Sequence, residues 1–201
     1  LGGGEVQFAL GLEQAATPRL AIEGRAAEVV LAGPLFGRGP DLNAGRLSGQ
    51  FQLRAEGPSP AAWLGSLAGE LGFQLRDGVL AGFDALAAMA ALGLAEPEAA
   101  RAALAAAFAE GATPIERGEG RLALIDGTAA FAQTRLVAES GLPLGLSGRV
   151  GLGEGRMALR FEWPAPEGAP AVALGFEGPV ATPRRVADVE EFLTWRAQNP
   201  P

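Results

Sequence analysis

The chain contains no cysteine, no histidine, no tyrosine and no lysine. Without cysteine there is no disulfide, no thiolate zinc site and no thiol nucleophile. Without histidine the usual proton carrier near neutral pH is missing, and with it Ser-His-Asp catalysis and imidazole metal sites. Without lysine a serine has no amine base to activate it. All 16 basic residues are therefore arginines, set against 23 acids for a net charge of −7 and a pI of about 4.7. They are scattered, Arg184-Arg185 being the sole adjacent pair. A nucleic-acid binder needs a concentrated positive surface to displace counterions from phosphate, so nucleic acid is not an expected partner. Long apolar runs are also lacking. The least polar stretch, Gly78 to Ala95, is interrupted by Asp84 and by glycines, and no segment reads as a transmembrane span.

The remaining polar residues give no constellation for chemistry. Ser48 and Ser147 fall within strand patterns, Ser59 and Ser66 flank a short helix, and Ser140 sits in a turn. Glu190 and Glu191 are adjacent on a helix and point about 100° apart, unlike a cooperating acid–base pair. Asp77 and Asp126 each precede a glycine, where turn geometry explains an aspartate. Glu116 and Glu119 flank Arg117 as an exposed charge mixture. The glycine-rich stretches Gly118–Gly120 and Gly151–Gly155 resemble phosphate loops, but a strand pattern rather than a helix follows each, so both are expected to be hairpin turns. The sequence thus predicts a non-enzyme, with no catalytic residues, no metal site and no cofactor.

What is present is period-two hydrophobicity, the mark of strands with one apolar face. Val6, Phe8, Leu10 and Leu12 form one such face, and Leu47, Phe51 and Leu53 another. Leu71, Phe73 and Leu75 lead to Asp77-Gly78, read as a tight hairpin turn, and Asp126-Gly127 is read the same way between Gly120–Ile125 and Thr128–Ala138. Leu144, Leu146, Val150 and Leu152 follow, then Met157, Leu159, Phe161 and Trp163, and finally Val172, Leu174 and Phe176. Helical signals interrupt this pattern. Ser59-Pro60 opens a short helix, Asp84 caps Ala85 to Leu92, Glu96-Pro97 begins an alanine-rich helix through Phe108, and Asp188 to Ala197 closes the chain.

These patterns predict one mostly-β domain over residues 1–201: an antiparallel meander forming a curved sheet, with a helical insert at about 59–110 and a C-terminal helix. Residues 1–45 are read as leading strands. The seven same-parity residues Leu146, Val150, Leu159, Phe161, Val172, Leu174 and Phe176 are expected to share one apolar face. That face is either sealed by the helices or open as a trough for acyl chains.

The order Leu67–Asp84, then Thr113-Pro114-Ile115, Asp126–Ala129, Gly148–Leu152, Val172–Gly178 and Thr182-Pro183 resembles the C-terminal region of the AsmA family over about residues 46–196. Gly151 stands where that family commonly has aspartate. The resemblance implies a Gram-negative envelope protein, anchored in the inner membrane upstream of this segment and lying in the periplasm. It further implies a role in outer-membrane biogenesis, with phospholipid and envelope proteins as partners; the assignment of the seven residues above as lipid-binding rests on strand alternation alone. The alternative is a periplasmic scaffold or protein-interaction domain with a sealed core.

Overall fold

The computed structural model describes residues 3–34, 39–165 and 167–199. Among these residues ten strands follow one another in space as they do in sequence, so the sheet is an uninterrupted antiparallel meander. They are β1 (Glu5–Glu13), β2 (Arg19–Ala32), β3 (Asp41–Glu56), β4 (Ala68–Ala81), β5 (Ala112–Ile125), β6 (Thr128–Ala138), β7 (Pro143–Gly151), β8 (Arg156–Trp163), β9 (Val172–Pro179) and β10 (Arg184–Asp188). The described residues also form four helices: α1 (Pro60–Ser66), α2 (Ala85–Leu92), α3 (Pro97–Ala109) and α4 (Glu190–Gln198). The mostly-β expectation holds.

The helix starts are local. Ser59 accepts a hydrogen bond from the Ala62 amide at 3.2 Å, with Pro60 at the first helical position. Asp84 caps α2 through the Ala87 amide at 2.9 Å. The helical segment at 59–110 is not one insert, however. β4 runs through its middle, so α1 lies in the β3–β4 connection and the α2–α3 hairpin in the β4–β5 connection.

The two Asp-Gly pairs behave differently. Asp126 and Gly127, at φ of 47° and 69°, form the β5–β6 hairpin turn between Ile125 and Thr128. Asp77, at φ 49°, is not a turn: β4 continues through it to Ala81. The aspartate takes the left-handed conformation as a bulge, because Val79 and Leu80 still find partners on β3 and β5. A neighbouring irregularity falls at Glu28 (φ 49°) of β2, where the Ser48 hydroxyl accepts the Glu28 amide at 2.9 Å. Gly118–Gly120 is likewise no turn but the interior of β5. Gly151–Gly155 does form the β7–β8 connection.

The core lies between the sheet and α2, α3 and α4. At its centre Phe83 meets Phe161, Trp163 and Phe176, with ring centroids 4.9, 5.6 and 6.2 Å away. Alanines at 85, 88, 91, 100 and 107 are buried, and their small side chains bring the helix backbones close to these rings. Two polar contacts fix the helical hairpin. Trp163 Nε1 donates to the Ala85 carbonyl at 3.2 Å. The buried Thr113 hydroxyl accepts from the Ala85 amide and donates to the Phe83 carbonyl, both at 3.0 Å. Thr113→Val keeps the shape but leaves two buried backbone groups unpaired, so it should lower unfolding stability by about 1–3 kcal/mol, measured by urea denaturation.

Candidate functional site

Register decides which side chains share a face, since directly opposed residues in an antiparallel ladder point the same way. Starting from Phe8, the ladder runs Gly24, Phe51, Leu71, Leu122, Phe131, Gly148, Leu159 and Phe176. The neighbouring row runs Leu10, Ile22, Leu53, Gly69, Leu124, Ala129, Val150 and Met157. One sheet face is therefore apolar from β1 to β9.

The helices do not cover it evenly. All seven residues expected to line a lipid face do lie together on this side, and Phe161 and Phe176 meet edge to face at 5.9 Å. Yet Phe161 is 2% exposed, and Val172, Leu174 and Phe176 no more than 1%. Leu159 is buried too, while Leu146 and Val150 are half-buried against the same core. Of the two alternatives for this face, sealed or open, these positions are sealed: the hydrophobic core claims them, because α2, α3 and α4 pack over this part of the sheet.

The open apolar surface is at the other end. On β1, Val6, Phe8, Leu10 and Leu12 are 52, 65, 59 and 55% exposed. Beside them Leu20, Ile22, Phe51, Leu53, Leu71, Phe73, Leu122 and Phe131 are half-buried. Glycines are part of this floor. A Cβ on Gly24 would lie 2.8 Å from the Phe51 ring, and one on Gly120 would lie 2.9 Å from the Phe73 ring. Each ring thus lies over a neighbouring strand's glycine, and the surface is smoothed rather than studded. The period-two pattern of β1 was visible in the sequence. What was not visible is that no helix among the described residues covers it, because helix placement depends on where the chain reverses.

The opposite face is polar. Gln7, Arg25, Gln50, Gly72 and Arg121 occupy one row across it. Electrostatics at the covered end are structural. Arg101 on α3 donates to Glu190 on α4 at 2.7 Å and to Glu98 at 2.6 Å. The hydrogen bond from Arg101 holds the Glu190 carboxyl below the usual glutamate range. This pair ties the C-terminal helix to the helical hairpin. Among the described residues no group of three or more acidic side chains could hold a metal ion, and no helix is long and apolar enough to cross a membrane.

The chain is thus an extended antiparallel sheet whose single apolar face is sealed by helices at one end and bare at the other. Residues 38–134 match the sequence model described as AsmA family, and this match supports assigning the chain to that family, which is linked to envelope and outer-membrane assembly. The match overlaps the resemblance read from the sequence between residues 46 and 134. No curated protein and no solved structure matches the chain.

The exposure contrast sets a test of the two ends. Phe161→Glu would bury a carboxylate among aromatic rings without a partner, at a cost of several kcal/mol, which is comparable to the whole stability of a domain. Phe8→Glu would leave its carboxylate in water. Phe8→Glu should give a soluble protein with native near-UV circular dichroism, and Phe161→Glu an unfolded or insoluble one.

Proposed function

We propose that this chain is a non-catalytic module of envelope biogenesis whose bare apolar sheet face shields phospholipid acyl chains. The observation that supports this is the exposure of Val6, Phe8, Leu10 and Leu12, four successive same-face residues of β1 that are all more than half exposed. They continue into the half-buried row on β2 to β6, so the apolar strip crosses several strands rather than standing alone. Strands lie about 4.8 Å apart, and six of them span about 24 Å, a length that suits an extended acyl chain. Each methylene taken from water onto such a surface contributes about 0.8 kcal/mol, so affinity needs no charged contact. The family's link to envelope assembly agrees with this reading, and periplasmic residence with an upstream inner-membrane anchor belongs to the same proposal.

A second reading rests on the edge of the sheet. β1 is nine residues long and pairs only with β2 among the described residues. Its free edge is suited to strand addition by a neighbouring envelope protein, which would make the chain a scaffold.

Native mass spectrometry separates the two. Under the lipid reading, the purified wild-type chain carries phospholipid-mass adducts that Phe8→Glu loses while remaining folded. A folded wild type without adducts, with no adduct formed after incubation with phospholipid, would rule out the acyl-shielding role.

A further inference from the structure

Three arginines stand directly opposite one another on the polar face: Arg46 on β3, Arg76 on β4 and Arg117 on β5. Like charges facing each other across a ladder are destabilising, so neither the sheet nor its core accounts for this row. It is also unexpected in a chain of net charge −7. The bulge at Asp77 helps to form it. Arg76 and Asp77 are both exposed, and so are Glu116 and Arg117 on the adjoining strand. The partners these arginines find are partial. Arg46 lies 3.7 Å from Asp77 and Arg117 lies 2.6 Å from Glu116. Arg76 has no ion-pair or hydrogen-bond partner among the described residues.

Next to this row is a cavity of about 620 Å³, whose lining includes Ser48, Gln50, Gln74 and Glu119. Arg25 and Arg121 close its far side. Gly72 supplies the floor. A Cβ there would meet nothing within 4 Å, so the missing side chain leaves open space above the strand. Arg25 is held by Gln7 at 3.0 Å, and Arg121 has no ion-pair or hydrogen-bond partner among the described residues. Arg25 and Arg121 thus line the depression, and Arg46, Arg76 and Arg117 form an adjoining row of the same face; Glu119 is the carboxylate of the lining, and Glu28 reaches its edge by accepting from the Ser48 hydroxyl at 3.3 Å. Between the arginines lie amide groups that can hydrogen-bond to neutral oxygens.

We infer that this arginine-rimmed depression on the polar face binds a phosphate-bearing ligand with a hydroxylated body. Guanidinium forks match phosphate oxygens in pairs, and Gln50 and Gln74 suit hydroxyl groups beside them. The phosphate is that of a lipid headgroup or of a free phosphate ester. The site lies on the face opposite the acyl-shielding strip, so the inference does not depend on that reading.

The test is titration calorimetry of the 201-residue chain with glycerol 1-phosphate and with inorganic phosphate, in parallel with co-sedimentation on phosphatidylglycerol vesicles. Phe8→Glu, which alters only the other face, should bind the two soluble phosphates as wild type does. Arg76→Gln and Arg121→Gln should each weaken binding about tenfold with unchanged circular dichroism, since each removes charge-assisted hydrogen bonds. They stand on different strands, so one remains readable if the other fails to fold. Arg149→Gln, on β7 outside the cavity, should have no effect. Saturable binding of the soluble phosphates with this pattern assigns a free phosphate ester. Binding confined to the vesicles, with the same response to the arginine variants, assigns a lipid headgroup. Absence of binding to every probe, or an equal loss in Arg149→Gln, overturns the proposal.

Discussion

A sheet of ten consecutive antiparallel strands that alternate in the same phase has a single apolar face, and that face needs more cover than four short helices can give. This shortage of cover governs the rest of the molecule. The helices concentrate on one end, where α2, α3 and α4 share a core with β7 to β9. They leave β1 with its four apolar side chains in water. A contiguous apolar face of this kind is ordinarily a binding surface, because water contact with contiguous hydrocarbon is unfavourable until something covers it.

The covered end is built for rigidity. Five aromatic rings, from Phe83, Phe108, Phe161, Trp163 and Phe176, meet at centroid distances of 4.9 to 6.2 Å. Alanines on the helices let the backbones approach these rings, and Thr113 and Trp163 satisfy backbone groups where α2 begins. The bare end has no comparable interior. Its order comes from the ladder itself and from rings laid over glycines on neighbouring strands. A stable half thus holds an accessible half in position, and the two faces of the accessible half differ in chemistry: hydrocarbon on one, arginine and amide groups on the other.

Much of this was legible in residue order. The alternation at Val6–Leu12 gave β1 its limits, and Ser59, Asp84 and Pro97 marked three helix starts because capping is local chemistry. The second strand was read only as part of a leading segment, and the short β10, Arg184–Asp188, was not read at all. β10 has too few apolar residues to show a period. Its place comes from pairing with β9. Asp77-Gly78 has the local signature of a reversal for a related reason. A left-handed aspartate followed by glycine is the local requirement of both a hairpin turn and a bulge, and only the partners available beyond it distinguish the two.

The sequence by itself determined the strand type, the common parity of the apolar residues and the absence of histidine, cysteine and lysine chemistry, since composition and period-two alternation are properties of the chain alone. Tertiary structure decided which stretch of that face is sealed. Leu174 and Leu10 have the same alternating surroundings in sequence, yet one is fully buried and the other 59% exposed. The difference is the helical layer above Leu174, whose position follows from long-range packing around Phe83. The row formed by Arg46, Arg76 and Arg117 is decided in the same way. Those residues lie far apart in the chain, and only the register of β3, β4 and β5 brings them side by side.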